Sequence, residues 1–188
     1  SMIGTNGAYE TGYTGAGTRI AVIDTGIDTD HQSFDNGAFD YALQQEANGN
    51  ENYIKSLDLL DQSKVTAVLS QLNIAQNGVS ADDLYYGSKL PFAYNYVDKN
   101  TDVTHDNDTQ SEHGSHVAGI AAANKYIANA DGTFSNALET AKVQGVAPDA
   151  QLVVMKVFGY GGGAYDSDYM AAIEDAIVLG CDSINLSL

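Results

Sequence analysis

The sequence predicts an α/β fold in which a parallel sheet carries helices on both faces. Short apolar runs at 20–23, 152–158 and 183–188 have the composition of buried strands. Helical patterns at 113–123 and about 167–179 lie between these runs, and strands that alternate with helices typically form a parallel sheet. The last run is not followed by a helix, so we expect a domain truncated after the strand that ends at Leu188.

Composition and charge narrow the classes of protein that fit. The chain has 188 residues, which suggests a single domain, 1–188, with a sizeable core. Eight basic residues against 25 acidic ones give a net charge of −17. Nucleic acids and anionic membranes attract basic surfaces, so we expect neither as a partner. No apolar run has the length for membrane insertion, and the single cysteine, Cys181, excludes an intramolecular disulfide.

A long polar stretch from 31 to 112 predicts a surface elaboration with local helices, an insertion at about 31–111 of the domain. Within it, apolar residues at i, i+3, i+4 and i+7 between 65 and 72 predict an amphipathic helix that ends at Gly78. The run 92–97 predicts a strand, and Pro91 at its start favours an edge of the sheet.

A further helix is predicted at about 167–179. We expect Asp166 or Ser167 to cap its start and Gly180 to end it. Helical spacing of apolar side chains predicts a buried face formed by Met170, Ile173, Ala176 and Ile177.

Asp24 is the first candidate functional residue, because it directly follows the apolar run 20–23. Open α/β sheets place their sites at the carboxyl ends of the strands, so a carboxylate at this point is well placed for chemistry. The alternative is an aspartate that only caps a helix or stabilises a turn.

His113 is the second candidate, since it opens a run of very small residues at helical spacing. Gly114 and Gly119 would weaken an isolated helix by about 1 kcal/mol each, so we expect a buried helix whose small residues let neighbouring backbone approach closely. A histidine at its start, near neutral pKa, suits general acid/base work. Together, Asp24 and His113 could form two thirds of a catalytic triad, in which the carboxylate orients the imidazole.

Several segments resemble the subtilisin-like serine proteases. The run 22–28, Val-Ile-Asp-Thr-Gly-Ile-Asp, resembles the aspartate motif of that family, and 113–119, His-Gly-Ser-His-Val-Ala-Gly, resembles its histidine motif. The turn 145–148 with the strand after it, and the run 183–188, resemble two further family segments. The order of aspartate before histidine is that of subtilisins. The length between the two motifs is similar to that in the enlarged proteases of bacterial cell envelopes.

The resemblance implies a role for each matching residue. Asp24 would orient the histidine and His113 would act as general acid and base. An extended polypeptide substrate would bind as an added strand, through main-chain hydrogen bonds, between two walls of a cleft. The residues that match these walls are Gly161, Gly162 and Gly163 on one side and Ser187 and Leu188 on the other.

The resemblance is incomplete in two respects. The family's nucleophilic serine lies downstream of Leu188, and neither Ser115 nor Ser187 has its sequence context, so we expect this chain alone to be inactive. Ser33 stands where many family members have a calcium-binding aspartate, so we expect no metal there, and no organic cofactor. The resemblance also implies a secreted or envelope-attached bacterial protein, whose signal peptide is not in this sequence.

Other interpretations remain open. Asp24, His113 and His116 could form a three-ligand metal site. The glycine-rich run 159–163 could be a nucleotide loop, although no P-loop lysine follows it. The parent protein could also be a non-catalytic peptide-binding module. Finally, an unpaired C-terminal strand recruits other chains, so we expect the chain to dimerise or swap domains through 183–188.

Overall fold

The computed structural model describes residues 4–106 and 108–187. The strands in this part of the chain are β1 Arg19–Asp24, β2 Phe92–Asn95, β3 Tyr126–Ala128, β4 Phe134–Asn136, β5 Gln151–Lys156 and β6 Ser183–Leu186. The α-helices are α1 Thr5–Glu10, α2 Asn36–Ala47, α3 Glu51–Ser56, α4 Gln62–Val68, α5 Ala81–Leu84, α6 His113–Ala122, α7 Ala137–Thr140 and α8 Asp166–Val178. Short 3₁₀ helices occupy Gln32–Phe34, Leu69–Gln71 and Asn73–Asn77.

Four of the strands form one parallel sheet in the order β2-β5-β1-β6. The register places Asp24 of β1 opposite Lys156 of β5 and Ile20 opposite Ser183 of β6. The predicted parallel α/β class is therefore confirmed, and β3 and β4 form a separate antiparallel hairpin. Among the described residues, no helix combines the length and apolar character needed to cross a bilayer.

Helices cover both faces of this sheet, as predicted. Ala21 and Ile23 of β1 lie in a core cluster with α8, whereas Val22 points to the other face and lies in a second cluster with α6. This alternation follows from the two-residue period of a strand. The helix residues in the two clusters are Ala172 and Ala176 of α8 and Ala118 and Ala122 of α6.

The strand predicted after Pro91 is confirmed as β2, and it lies at an edge of the sheet. The amphipathic helix predicted for 65–72 is only partly correct. α4 ends at Val68, and two 3₁₀ segments continue to Asn77, where Gly78 in a left-handed conformation (φ 73°) ends the run. The apolar pattern of the polar stretch does not predict α2, although this helix buries five apolar residues.

The predicted buried face of α8 was wrong for two of its four residues. Met170 and Ile177 are 56% and 68% exposed, whereas Asp175 is fully buried. The Asp175 carboxylate accepts hydrogen bonds from the Tyr96 hydroxyl at 2.9 Å and from the Asn73 backbone N–H at 2.6 Å. Because these distant partners satisfy its carboxylate, Asp175 is buried and Ile177 is exposed. The predicted cap was wrong too, since the N-cap is Tyr165 without a side-chain bond, but Gly180 does follow the helix with a left-handed φ of 71°.

Lys89 is a fully buried lysine that packs between the sheet and α2. Its ammonium donates to the carbonyls of Pro148 and Ala150 at 2.9 and 2.7 Å and lies 4.9 Å from the centre of the Phe39 ring. Burial lowers the pKa of Lys89 from 10.5 to about 7, and the nearby Asp149 opposes that shift. The charged form is therefore destabilised in the folded state.

This buried lysine predicts a dependence of stability on pH. Between pH 7 and 10.5 the unfolded chain keeps the Lys89 proton that the folded chain has lost. The free energy of unfolding should therefore rise with pH, by up to about 1.4 kcal/mol per unit from this group. Urea unfolding followed by circular dichroism at pH 7, 8 and 9 measures the slope. Lys89→Met should have the smaller slope; equal slopes would contradict the assignment.

Candidate active site

Asp24 ends β1 at the carboxyl edge of the parallel sheet, and its side chain is fully buried. The backbone N–H of Thr25 donates to Asp24 Oδ1 at 2.7 Å. This bond helps to hold the carboxyl group in place. Besides this local contact, which fits the alternative of an aspartate that stabilises a turn, Asp24 has a side-chain partner from a distant segment.

That partner is His113, the first residue of α6. Its Nδ1 lies 2.8 Å from Asp24 Oδ1 and 3.0 Å from Asp24 Oδ2, although the two residues are 89 positions apart. The imidazole side chain is 51% exposed, while the carboxylate is not exposed. The pair therefore joins a buried carboxyl group to a ring that reaches solvent.

Thr25 links these two elements, and sequence reasoning missed it. Its hydroxyl accepts a hydrogen bond from the Gly114 N–H at 2.9 Å and donates to the Ser111 carbonyl at 3.2 Å. The first free N–H groups of a helix need such acceptors. A single side chain therefore attaches the start of α6 to the end of β1.

The glycines of α6 differ in their surroundings. A Cβ atom at Gly114 would lie only 2.1 Å from the Gly26 carbonyl oxygen, so the two backbones are in direct contact. At Gly119 an added Cβ would meet nothing within 4 Å. The predicted close approach is thus correct for Gly114 and wrong for Gly119.

This geometry defines what the pair can do chemically. With the carboxylate accepting from Nδ1–H, the proton is held on that nitrogen and Nε2 is left with a lone pair that can take a proton. Among the described residues, the His113 ring forms its hydrogen bond with Asp24. Ser115 instead accepts from the Asp28 N–H at 2.9 Å, and Ser187 donates to Asn185 Oδ1 at 2.9 Å.

The glycines predicted to bind substrate lie in an exposed loop after β5. The Gly162 N–H donates to the Gly159 carbonyl at 3.0 Å, and a single bridge between Phe158 and Ala164 closes the loop. Ser187 follows the edge strand β6, and Leu188 lies outside the described residues. The role of these residues as cleft walls stays a prediction.

A second residue that sequence reasoning missed is Lys156, which stands opposite Asp24 in the sheet and is 2% exposed. Its ammonium donates to the Thr104 carbonyl at 2.9 Å and pairs closely with the Asp108 carboxylate. The available signal was a lone lysine inside an apolar run. A buried lysine requires partners of this kind.

The metal-site alternative has no support in the described residues, which contain no group of three or more His, Cys, Asp or Glu arranged to hold a metal ion. His116 is exposed and lines a separate groove of about 500 Å³ with His31. The expectation of no metal at Ser33 stays a prediction.

Comparisons with known proteins identify relatives over nearly all of the chain. A PII-type proteinase of Lacticaseibacillus paracasei is 35% identical over 179 residues, which cover 94% of this chain and 8% of that protein. The minor extracellular protease Vpr of Bacillus subtilis is 28% identical over 186 residues, covering 99% and 16%. A C5a peptidase of Streptococcus pyogenes is 30% identical over 175 residues, covering 92% and 12%.

The chain thus spans less than a fifth of the length of these curated relatives. A family model described as the subtilase family matches residues 15–188. This match includes both Asp24 and His113 and the whole parallel sheet. The chain belongs to the subtilase family.

Proposed function

We propose that this chain is the N-terminal portion of the catalytic domain of a serine endopeptidase that hydrolyses peptide bonds through an acyl-enzyme. The observation that carries the proposal is the 2.8 Å contact between Asp24 Oδ1 and His113 Nδ1. Asp24 holds the imidazole in one tautomer and orientation. His113 takes the proton from a serine hydroxyl as that oxygen attacks the substrate carbonyl, and later returns it to the leaving amine.

The nucleophilic serine comes from outside residues 1–188 in this proposal. Both motif serines of this chain already have hydrogen-bond partners away from the His113 ring. Without a serine for His113 to activate, no acyl-enzyme forms. The 188-residue chain by itself therefore hydrolyses no peptide detectably.

The substrate in this proposal is an extended polypeptide that binds as an added strand. Ser187 and Leu188, which follow β6 in the sequence, are assigned to one wall of its binding cleft. Gly161, Gly162 and Gly163 expose backbone without side chains, which tolerates many substrate sequences. The chemistry requires no organic cofactor.

A fluorophosphonate probe, which labels only an activated serine, tests the proposal. The longest natural polypeptide that contains this chain should be labelled, and its His113→Ala variant should not. The 188-residue chain should remain unlabelled in the same experiment. Labelling of the short chain that depends on His113 would refute an external nucleophile, and an unlabelled long polypeptide that still binds peptide would favour the non-catalytic alternative.

We also propose that the parent protein is secreted or attached to a bacterial cell envelope. The support is the name of one relative, an extracellular protease of Bacillus subtilis. The net charge of −17 agrees with a protein that stays dissolved in the medium.

A further part of the proposal concerns self-association of the 188-residue chain. The residues Ser183 to Asn185 of the edge strand β6 are exposed, with Ile184 39% exposed, and Met170 and Ile177 add exposed apolar surface on α8. Edges and patches of this kind recruit other chains. Light scattering at millimolar concentration should give the mass of a dimer, and replacing Ile184 by lysine should restore the monomer. A wild-type monomer at that concentration would contradict self-association.

A further inference from the structure

A short connecting segment, residues 108–112, joins the buried lysine of β5 to the histidine helix. Side chains and a carbonyl of this segment contact different parts of the site. The Asp108 carboxylate pairs with Lys156, and the Ser111 carbonyl accepts from Thr25. The segment then leads directly into His113.

Two side chains in the middle of this segment hold the glycine loop. The Thr109 hydroxyl donates to the Tyr160 carbonyl at 2.9 Å, and Gln110 Nε2 donates to the Gly159 carbonyl at 2.8 Å. Gln110 Nε2 also lies 3.3 Å from the point where a Cβ atom of Gly162 would be. The loop therefore rests against these two side chains.

The loop has few other restraints. Gly161 and Gly163 would meet nothing within 4 Å if they carried a Cβ atom, and Tyr160 is 65% exposed. A glycine-rich loop has many conformations available, and ordering it on binding costs free energy. Bonds that order it in advance reduce that cost for a ligand.

The base of the connecting segment is rigid by comparison. Lys156 and Asp108 have side chains only 3% and 6% exposed, and an ion pair with this burial is well shielded from salt and water. The backbone N–H of Gln110 donates to Asp108 Oδ1 at 2.9 Å, which also holds Gln110 in place. Asp108 thus fixes the position from which Gln110 reaches the loop.

We propose that Thr109 and Gln110 are positioning residues for substrate binding: they hold the carbonyls of Tyr160 and Gly159 so that the glycine loop presents its backbone to an extended polypeptide. This inference rests on the proposed function, because it assumes that the loop contacts substrate. It adds two side chains that touch neither the catalytic pair nor the predicted peptide. Their effect acts on binding and leaves the proton transfer at His113 unchanged.

The first experiment measures peptide hydrolysis by the longest natural polypeptide that contains this chain. The double variant Thr109→Val/Gln110→Met keeps the shape of both side chains and removes both donors. We expect KM to rise about tenfold, since two neutral hydrogen bonds are lost, with kcat within twofold of wild type. The single variant Thr109→Ser keeps the hydroxyl, and its KM should lie within twofold of the wild-type value. Gln45→Met, the same change on an exposed position of α2, is the matched control.

The second experiment uses the 188-residue chain and does not depend on activity. Hydrogen exchange of the Gly162 amide, which donates to the Gly159 carbonyl at 3.0 Å, should be about tenfold faster in the double variant, with exchange in β1 unchanged. Two results in an active double variant would overturn the inference while leaving the proposed function intact. One is an unchanged KM, and the other is a fall in kcat as large as the rise in KM. If the wild-type long polypeptide hydrolyses no peptide, the proposed function fails, and unchanged loop exchange would then also overturn the positioning role.

Discussion

Replacing Gly114 by alanine is expected to destabilise the protein by about 1–3 kcal/mol and to move His113 away from Asp24. The new Cβ would lie 2.1 Å from the Gly26 carbonyl oxygen, a backbone atom that has no alternative rotamer. Gly26 cannot move away freely, because its own backbone packs against Val103: a Cβ at Gly26 would lie 2.1 Å from the Val103 carbonyl oxygen. The start of α6 must therefore shift as a unit. Urea unfolding of the 188-residue chain measures the loss.

Gly119→Ala provides a matched control in the same helix. Nothing lies within 4 Å of the added methyl group, and alanine forms helices better than glycine. This variant should therefore gain about 0.5–1 kcal/mol. In the longest natural polypeptide, Gly114→Ala should also lose about 100-fold in kcat/KM through misplacement of the imidazole. Equal stabilities for the two variants would show that α6 does not depend on contact with Gly26.

Asp24→Asn is expected to lower kcat of that longer polypeptide by about 10⁴-fold with little change in KM. The carboxamide keeps the shape of the carboxylate, and its oxygen can still accept the 2.7 Å bond from the Thr25 N–H. Its NH₂ group would then face His113 Nδ1, which must accept instead of donate. The ring proton moves to Nε2, and that nitrogen can no longer take a proton from a hydroxyl.

Asp131→Asn supplies the control, since it makes the same chemical change in the turn between β3 and β4. Among the described residues, the Asp131 carboxylate accepts hydrogen bonds within that turn, from the N–H and hydroxyl of Thr133. Its kcat should stay within twofold of wild type. Peptide hydrolysis under saturating substrate measures both variants, and circular dichroism verifies that both are folded. A fall below tenfold for Asp24→Asn would refute the orienting role of Asp24.

Much of the sheet could be predicted from local sequence. The strands β1 and β5 are continuous apolar runs, and each begins and ends within one or two residues of its prediction. Such runs are buried on both faces, so neither strand depends on a particular partner to be recognised. Gly78 and Gly180 likewise end the 3₁₀ run and α8 with left-handed φ values, a conformation that glycine adopts without a steric penalty and that can therefore be predicted from local sequence.

Helix faces in the middle of the chain could not be predicted in this way. In α2 the buried residues include three alanines, which carry little hydrophobic signal against a polar background. In α8 the choice between burying Ile177 and burying Asp175 depended on Tyr96 and Asn73, which are 79 and 102 residues away from Asp175. Hydrogen-bond partners at that separation are invisible to periodicity.

The sequence alone determined the fold class and indicated the two candidate residues, Asp24 and His113, with the order in which they occur, because strand runs and short motifs are local properties. Tertiary structure alone decided that Asp24 and His113 meet at 2.8 Å, that Thr25 links them, and that Lys156 anchors the segment leading to the histidine. These contacts depend on strand register and on the backbone contact between Gly26 and Gly114, which exist only once the distant segments have packed together.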